Sequence, residues 1–298
     1  MKVMLLCAGE GTRLRPYTLK KPKPAIPFLG APLVSYSMSL AEELKVTEFV
    51  MNTYHLPQEL KSTVTSLRLD YKVNFIEEKW GLLGSGGGIH NAKSFFEKED
   101  DFLVMNGDEV ILPQTHYALK DALKEHRWTR AIATLMVMPH PEVGKKFGGA
   151  WTKKGSQQVE LFSKTSPSDE YEGHHFVGVM ILSHRVFKYF KQNVEEENIL
   201  YETLTKAMQA GEKVVVQPMN CLWFETGNPN DFLEATSTLL PELERMKSEK
   251  NSAYWKTYLS YIVRRYNLLE SLVEEQDPQL QAQLKKFWKE HQIAKVNA

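Results

Sequence analysis

A chain of 298 residues with 37 Lys and Arg against 37 Asp and Glu is neutral at pH 7, which removes the bulk electrostatic case for binding nucleic acid or an anionic membrane. Its length accommodates one large α/β domain plus an appendage, with a substantial core. The only cysteines, Cys7 and Cys221, lie in apolar strand-like runs and are expected to be reduced core residues; no apolar run approaches the ~20 residues of a membrane helix and no signal peptide precedes the first strand, so a cytoplasmic location is expected.

The first strand, Val3–Cys7, empties into Ala8-Gly9-Glu10-Gly11-Thr12-Arg13-Leu14-Arg15-Pro16. A glycine turn after a strand presents backbone N–H groups to phosphate oxygens, and glycine lets the main chain approach closely. Arg13 adds a charged planar fork, and Lys23, in Lys20-Lys21-Pro22-Lys23-Pro24, adds a second cation on a proline-stiffened segment. The spacing excludes a P-loop, which needs a lysine and a hydroxyl residue after its second glycine. It also excludes the dinucleotide fingerprint, whose third glycine position is occupied by Leu14.

Strand-like and helical patterns then alternate, which predicts a mostly parallel sheet with crossover helices. Strands are expected near Thr47–Asn52, Lys72–Ile76, Phe102–Met105 and Arg130–Val137, and helices near Pro32–Leu44, Pro57–Leu67, Ser85–Ser94 and Tyr117–Glu125. Short strands with glycine turns between Phe147 and Leu182 suggest an antiparallel insertion, followed by a helix at Leu200–Ala210 and a strand at Val214–Gln217. Two further motifs sit at strand ends. Leu83-Gly84-Ser85-Gly86-Gly87-Gly88-Ile89 links a strand to a helix, and Val104-Met105-Asn106-Gly107-Asp108 places a carboxylate at the sheet edge where open α/β folds bind ligands. Mg²⁺ is held by one or two carboxylates plus substrate phosphates, so Asp108 needs one companion.

The run Arg13-Leu14-Arg15-Pro16-Tyr17-Thr18, continued by Pro22-Lys23-Pro24 and Ile26-Pro27, resembles the signature of the sugar-1-phosphate nucleotidylyltransferases, or NDP-sugar pyrophosphorylases. The three-glycine loop looks most like the branch containing N-acetylmuramate-1-phosphate uridylyltransferases and some mannose-1-phosphate guanylyltransferases. The resemblance covers residues 1–235 and implies a Rossmann-like, mostly parallel sheet of the nucleotide-diphospho-sugar transferase fold. It implies a catalytic domain over 1–230 with an acceptor-binding insertion over 147–182; the helical extension over 231–298 is read from the charged, helically spaced sequence there.

Carried over residue by residue, the resemblance assigns nucleotide binding to Ala8, Gly9, Gly11, Thr12, Arg13, Glu77, Gly84, Ser85 and Gly86, and catalysis to Arg13, Lys23 and Asp108. It assigns acceptor binding to Gly148, Gly149, Lys164 and Gly178, and Mg²⁺ to Asp108 and Glu225. Two positions depart from the family pattern. Trp223-Phe224-Glu225-Thr226-Gly227 has Glu where the family has Asp, moving the carboxylate by ~1.5 Å. Ser163 stands where the family carries a Glu that holds sugar hydroxyls, although Lys164 survives.

The implied reaction is in-line attack by a sugar 1-phosphate oxygen on the α-phosphorus of a nucleoside triphosphate, through positioning and charge neutralisation. Glu77 and Glu78 precede the base loop; a carboxylate there favours GTP, and UTP stays open. Two alternatives remain: a cytidylyltransferase for a non-sugar phosphate such as phosphocholine, and a nucleotide-binding regulatory protein with a disabled acceptor site. From Asp231 on, aromatic and leucine residues recur at helical spacing (Tyr254, Tyr258, Tyr261, Ile262, Tyr266, Leu269, Leu272), consistent with a strap on the catalytic domain or a homodimer seam.

Overall fold

The computed structural model describes residues 1–245 apart from 68, 80 and 116, together with 262, 265, 266 and 270–290. The chain runs from β1 (Lys2–Leu6) through short 3₁₀ turns at Thr12–Leu14, Tyr17–Leu19 and Lys23–Ala25 to a tight hairpin, β2 (Pro27–Phe28) and β3 (Ala31–Pro32). There follow α1 (Leu33–Ala41), β4 (Glu48–Thr53), α2 (Pro57–Ser66), β5 (Lys72–Glu77), α3 (Gly84–Asn91), α4 (Lys93–Phe96) and β6 (Asp101–Asn106). Next come β7 (Val110–Pro113), α5 (Ala118–Thr129), β8 (Ala133–Met138), β9 (Gly149–Lys153), β10 (Val159–Ser163) and β11 (Tyr171–Ser183). A π-helical turn, Ile199–Leu204, leads into α6 (Thr205–Gln209), β12 (Val214–Pro218), β13 (Cys221–Phe224), α7 (Pro229–Arg245) and α8 (Pro278–Glu290).

The central sheet has the order β5-β4-β1-β6-β11-β8-β12, in which β11 alone runs against its neighbours. The N-terminal half of β11 leaves this plane and pairs with β9, which pairs with β10, forming the antiparallel insertion. Strand residues alternate between two apolar layers, as a period of two requires. Val3, Leu5, Phe49 and Met51 face Val34, Met38, Leu60 and Leu119 on one side. Met4, Val50 and Val104 face Ile89, Phe96, Leu204 and Ala207 on the other. Burial on both faces explains why these strands read as nearly continuous apolar runs.

Expected and observed elements agree in kind, with differences at their ends. The strand expected from Arg130 starts at Ala133, because Arg130 takes a left-handed conformation (φ 55°) that closes α5. The helix expected over Ser85–Ser94 breaks at Ala92 into α3 and α4. The ribbon of β7 and β13 was not anticipated; its register sets Phe224 opposite Val110 and so brings the late tryptophan motif beside the end of β6.

A third apolar cluster joins Leu14, Ile26, Phe28, Leu29, Leu33 and Tyr36 to Phe232, Leu239, Ile262, Tyr266, Val273, Leu280, Leu284 and Phe287. The C-terminal residues therefore pack on the segment that carries the signature, and these side chains are occupied within the chain. Of the aromatic stripe, Tyr254, Tyr258, Tyr261 and Leu269 lie outside the described residues. Phe232 is the hub of this cluster, fully buried and edge-to-face with Phe28 at 5.3 Å, which in turn meets Tyr36 at 5.7 Å. Phe232→Ala is expected to cost about 3–5 kcal/mol of stability in urea unfolding, and a loss below ~1 kcal/mol would show that the cluster collapses around the gap.

Candidate active site

From β1 the chain moves out to β4 and β5, then returns to β6 on the other side of β1. Strand order reverses at β1, and the crevice beyond the carboxyl ends of β1 and β6 is where open α/β sheets take ligands. The Ala8–Gly11 loop leaves one of these strands and Gly107-Asp108 leaves the other, tied together by Gly107 N–H donating to Leu6 O at 3.0 Å.

In the first loop Gly11 has φ 59°, and its carbonyl accepts from Leu14 N–H and Thr18 Oγ. Ala8 is buried, whereas Gly9, Thr12 and Arg13 are exposed on the rim. Lys23 lies deeper, its side chain only 12 % exposed and its Nζ 2.9 Å from Asp108 Oδ2. Burial opposes its charge, but Asp108, Glu109 and Glu225 together outweigh burial and raise its pKa. Arg13 reaches Glu225 at 3.9 Å. Thr226 Oγ donates to Asp108 O at 3.1 Å, fastening the late motif to the end of β6. Asp108 and Glu225 thus converge, each beside one cation.

Glu109, which the sequence reading passed over, sits in the same nest. Its carboxylate accepts from Asn106 Nδ2 at 3.2 Å and Trp223 Nε1 at 2.9 Å. Burial and the adjacent Asp108 push its pKa up to about 7 against the pull of Lys23. Its only sequence signal was a second acid in Gly107-Asp108-Glu109. A divalent cation fits this donor set. No group of three metal-ligating side chains occurs among the described residues, but two carboxylates beside the Ala8–Gly11 turn suit an ion of the kind that Mg²⁺ is, shared between protein carboxylates and a phosphate ligand.

The second glycine loop is more constrained than its sequence suggests. Gly86 N–H donates to Glu197 O at 2.7 Å, and Gly87 N–H shares the same acceptor. Ser85 Oγ accepts from Ile199 N–H at 3.0 Å, and a Cβ on Gly84 would stand 2.7 Å from Glu197 O. The amide of Gly86 is therefore committed to the Glu197 carbonyl and anchors the π-helical turn, so any contact from Gly86 to a nucleotide would fall on its Cα or carbonyl. Glu78 is likewise structural. It accepts from Asn52 Nδ2 at 2.7 Å and Leu83 N–H at 2.9 Å, while Asn52 Oδ1 accepts from Cys7 N–H at 2.8 Å. One buried Asn–Glu pair thus links both glycine loops. Glu77, at the end of β5, faces Lys61 at 3.7 Å, so any carboxylate contact to a base falls on Glu77 alone.

On the insertion, Ser163 lies opposite Gly149 in the β9–β10 register, with Lys164 exposed just beyond. The Tyr201 hydroxyl occupies the space that a Gly148 side chain would need. Gly178 (φ 80°) brings β11 against Asn106 and Glu109; a Cβ there would stand 2.8 Å from Asn106 Nδ2. Of the candidate acceptor residues, Gly178 is thus the one set against the end of β6. His175 packs between Trp223 (4.6 Å), Phe147 (5.0 Å) and His140 (5.3 Å), and burial beside His140 lowers its pKa to about 4. Next to this aromatic wall lies a cleft of about 320 Å³, lined by Trp223, Phe147, Glu142, Glu225 and Glu234 among others.

Because Asn52→Ala strands Cys7 N–H and one oxygen of Glu78, it is expected to lower stability by about 2–4 kcal/mol. An unchanged urea midpoint would mean that water replaces both partners.

Residues 2–242 match the family described as nucleotidyl transferase. The chain is 26% identical over 251 residues to a UTP–glucose-1-phosphate uridylyltransferase of Synechocystis sp., covering 80% of this chain and 63% of that protein. It is 27% identical over 252 residues to a mannose-1-phosphate guanyltransferase of Yarrowia lipolytica, covering 84% and 67%. The chain thus spans between about half and two thirds of the length of these and other curated relatives, down to 55%. Among solved structures, the inositol-1-phosphate CTP transferase from T. maritima matches with a TM-score of 0.64 at 24% identity over 77% of this chain and 90% of that one. A UTP-bound UGPase from Acinetobacter baumannii matches with a TM-score of 0.66 at 18% identity, covering 87% and 98%; both likenesses speak to the fold. With its model matched over most of the length, the chain belongs to the nucleotidyl transferase family.

Proposed function

We propose that this protein is a nucleotidyltransferase that joins a nucleoside triphosphate to a sugar 1-phosphate, releasing pyrophosphate. The observation that carries this reading is the convergence of Lys23, Arg13, Asp108 and Glu225 on the crevice between β1 and β6. A phosphate oxygen of the acceptor forms a bond to the α-phosphorus, and the bond from that phosphorus to the bridging oxygen of pyrophosphate breaks. The attacking group is already an anion, so the protein needs no general base or covalent nucleophile.

Lys23 is placed to offset charge at the α-phosphate, Arg13 and the Gly9–Thr12 backbone take the outer phosphates, and Lys164 holds the incoming phosphate. Asp108 and Glu225 would hold Mg²⁺, which when bound neutralises phosphate charge and orients the triphosphate. The same carboxylates pair with Lys23 and Arg13. UTP and GTP are the nucleotides that the named relatives favour. With Glu78 tied to Asn52, the carboxylate argument for GTP loses half its basis.

Two measurements follow from this geometry. Pyrophosphate release with Mg²⁺, crossing five nucleoside triphosphates with a set of sugar 1-phosphates and phosphocholine, is expected to show one productive pair containing a sugar 1-phosphate. Turnover only with phosphocholine would establish the alternative acceptor class, and tight nucleotide binding without turnover would establish a regulatory protein. Glu225→Gln is expected to raise the Mg²⁺ concentration for half-maximal rate about tenfold or more, while Glu225→Asp keeps a rate within about tenfold. An unaltered Mg²⁺ dependence in Glu225→Gln would remove Glu225 from the metal site.

A further inference from the structure

The hairpin that follows Lys23 turns through Leu29 (φ 51°) and Gly30 (φ 83°), between Phe28 and its partner Ala31. A two-residue turn with both φ positive belongs to glycine and asparagine, and a leucine in it is strained. Leu29 is nevertheless fully buried, in the cluster formed with the C-terminal residues. The C-terminal segment reaches this strained residue at its backbone. Trp288 Nε1 donates to Leu29 O at 3.2 Å, and the Glu274 carboxylate lies close enough to the Leu29 N–H for that amide to favour its charged form.

Glu274 is only 1 % exposed and also accepts from Ser271 Oγ at 3.1 Å and Thr236 Oγ at 3.3 Å, so one carboxylate ties α7, the hairpin and the C-terminal segment together. Lys21 meets Glu270 at 2.7 Å, Tyr266 Oη donates to Glu42 at 2.7 Å, and Arg265 reaches the same carboxylate at 3.2 Å. These contacts bracket Lys23: Lys21 lies before it, and Leu29 after it. Ile26 N–H donates to Lys23 O at 3.0 Å, which leaves little slack between the hairpin and the lysine. The family match ends at residue 242, so the grip is supplied from beyond it.

We propose that residues 270–290 form a positioning strap, in which Glu274 and Trp288 hold the Leu29–Gly30 turn and thereby set Lys23 and Arg13 for the reaction. The strap rests on the transferase reading, because its effect is felt through those two cations. It is also sensitive to pH. Burial pushes the Glu274 carboxyl up to about 7 from its usual 4.5, despite the donors from its own N–H, Ser271, Leu29 and Thr236. The titratable group facing it is Tyr17, whose own pKa is raised by burial and by Glu274, with the Lys21–Glu270 pair on the flank. A folded pKa above the unfolded one means that the closed strap binds the extra proton. Its stability is therefore full below about pH 4.5, falls as pH rises toward about 7, and levels off beyond.

The test compares Glu274→Ala, Glu274→Gln and Trp288→Phe in the full chain, by steady-state kinetics and by hydrogen exchange of the amides of residues 12–30 corrected for intrinsic rates. Glu274→Ala and Trp288→Phe are expected to lower kcat by about tenfold with the acceptor KM unchanged, and to speed exchange at Leu29. Glu274→Gln is expected to restore kcat to within about twofold and to abolish the loss of rate between about pH 5 and 7. Variants that melt earlier but keep the wild-type kcat and exchange would overturn the strap, as would a wild-type pH profile in Glu274→Gln. Should the wild-type chain release no pyrophosphate with any substrate pair, the transferase reading fails by itself. Exchange at residues 12–30 then decides the grip alone: faster exchange in Glu274→Ala upholds it, and unchanged exchange removes it.

Discussion

Lys23 Nζ sits 2.9 Å from Asp108 Oδ2, and neither side chain reaches that position by local folding alone. Asp108 is delivered by β6, which lies beside β1 only because the chain first built β4 and β5 on the opposite side. Lys23 is delivered by a segment of short 3₁₀ turns, stiffened by Pro22 and Pro24 and enclosed by an apolar cluster. A mostly buried lysine costs desolvation that three carboxylates repay, and this balance keeps it charged. On the proposed function, such a pre-charged pocket would need little rearrangement to take phosphates, which is how a site without a nucleophile gains rate.

The same constraint accounts for features that look unrelated. Thr226 and the β7–β13 ribbon bring Glu225 to Asp108, and Trp223 is thereby set to donate to Glu109. Asn52 and Glu78 couple the two glycine loops from beneath, so that a shift in one is felt in the other. The π-helical turn after Asn198 then bridges the base loop, through Glu197 and Ser85, to the insertion, through Tyr201 and Gly148. The three-glycine loop and the insertion are thus joined by hydrogen bonds at Glu197 and Ser85 and by the packing of Tyr201 on Gly148.

The sheet was legible because its strands are buried on both faces and read as apolar runs, and the glycine turn after β1 because its residue spacing is a local property. The role of the three-glycine loop was only half legible. Glycines announce a close approach of backbone but not what approaches, and at Gly86 the visitor is the Glu197 carbonyl. Glu109, Asn52 and Tyr201 were invisible because their meaning depends on partners far away in sequence. The C-terminal extension could be read as helical and apolar, yet nothing local to Glu274 or Trp288 names the strained Leu29 turn as their neighbour.

The pairing at the centre of the crevice is tested most directly by a double-mutant cycle on turnover, with Lys23→Met, Asp108→Asn and the two combined. If the lysine and the carboxylate act as one unit, each single change lowers kcat by about 10²-fold or more, and the double variant falls little further. Effects that multiply, so that the double variant loses the product of the two single losses, would contradict a shared role and leave the pair as two independent contacts.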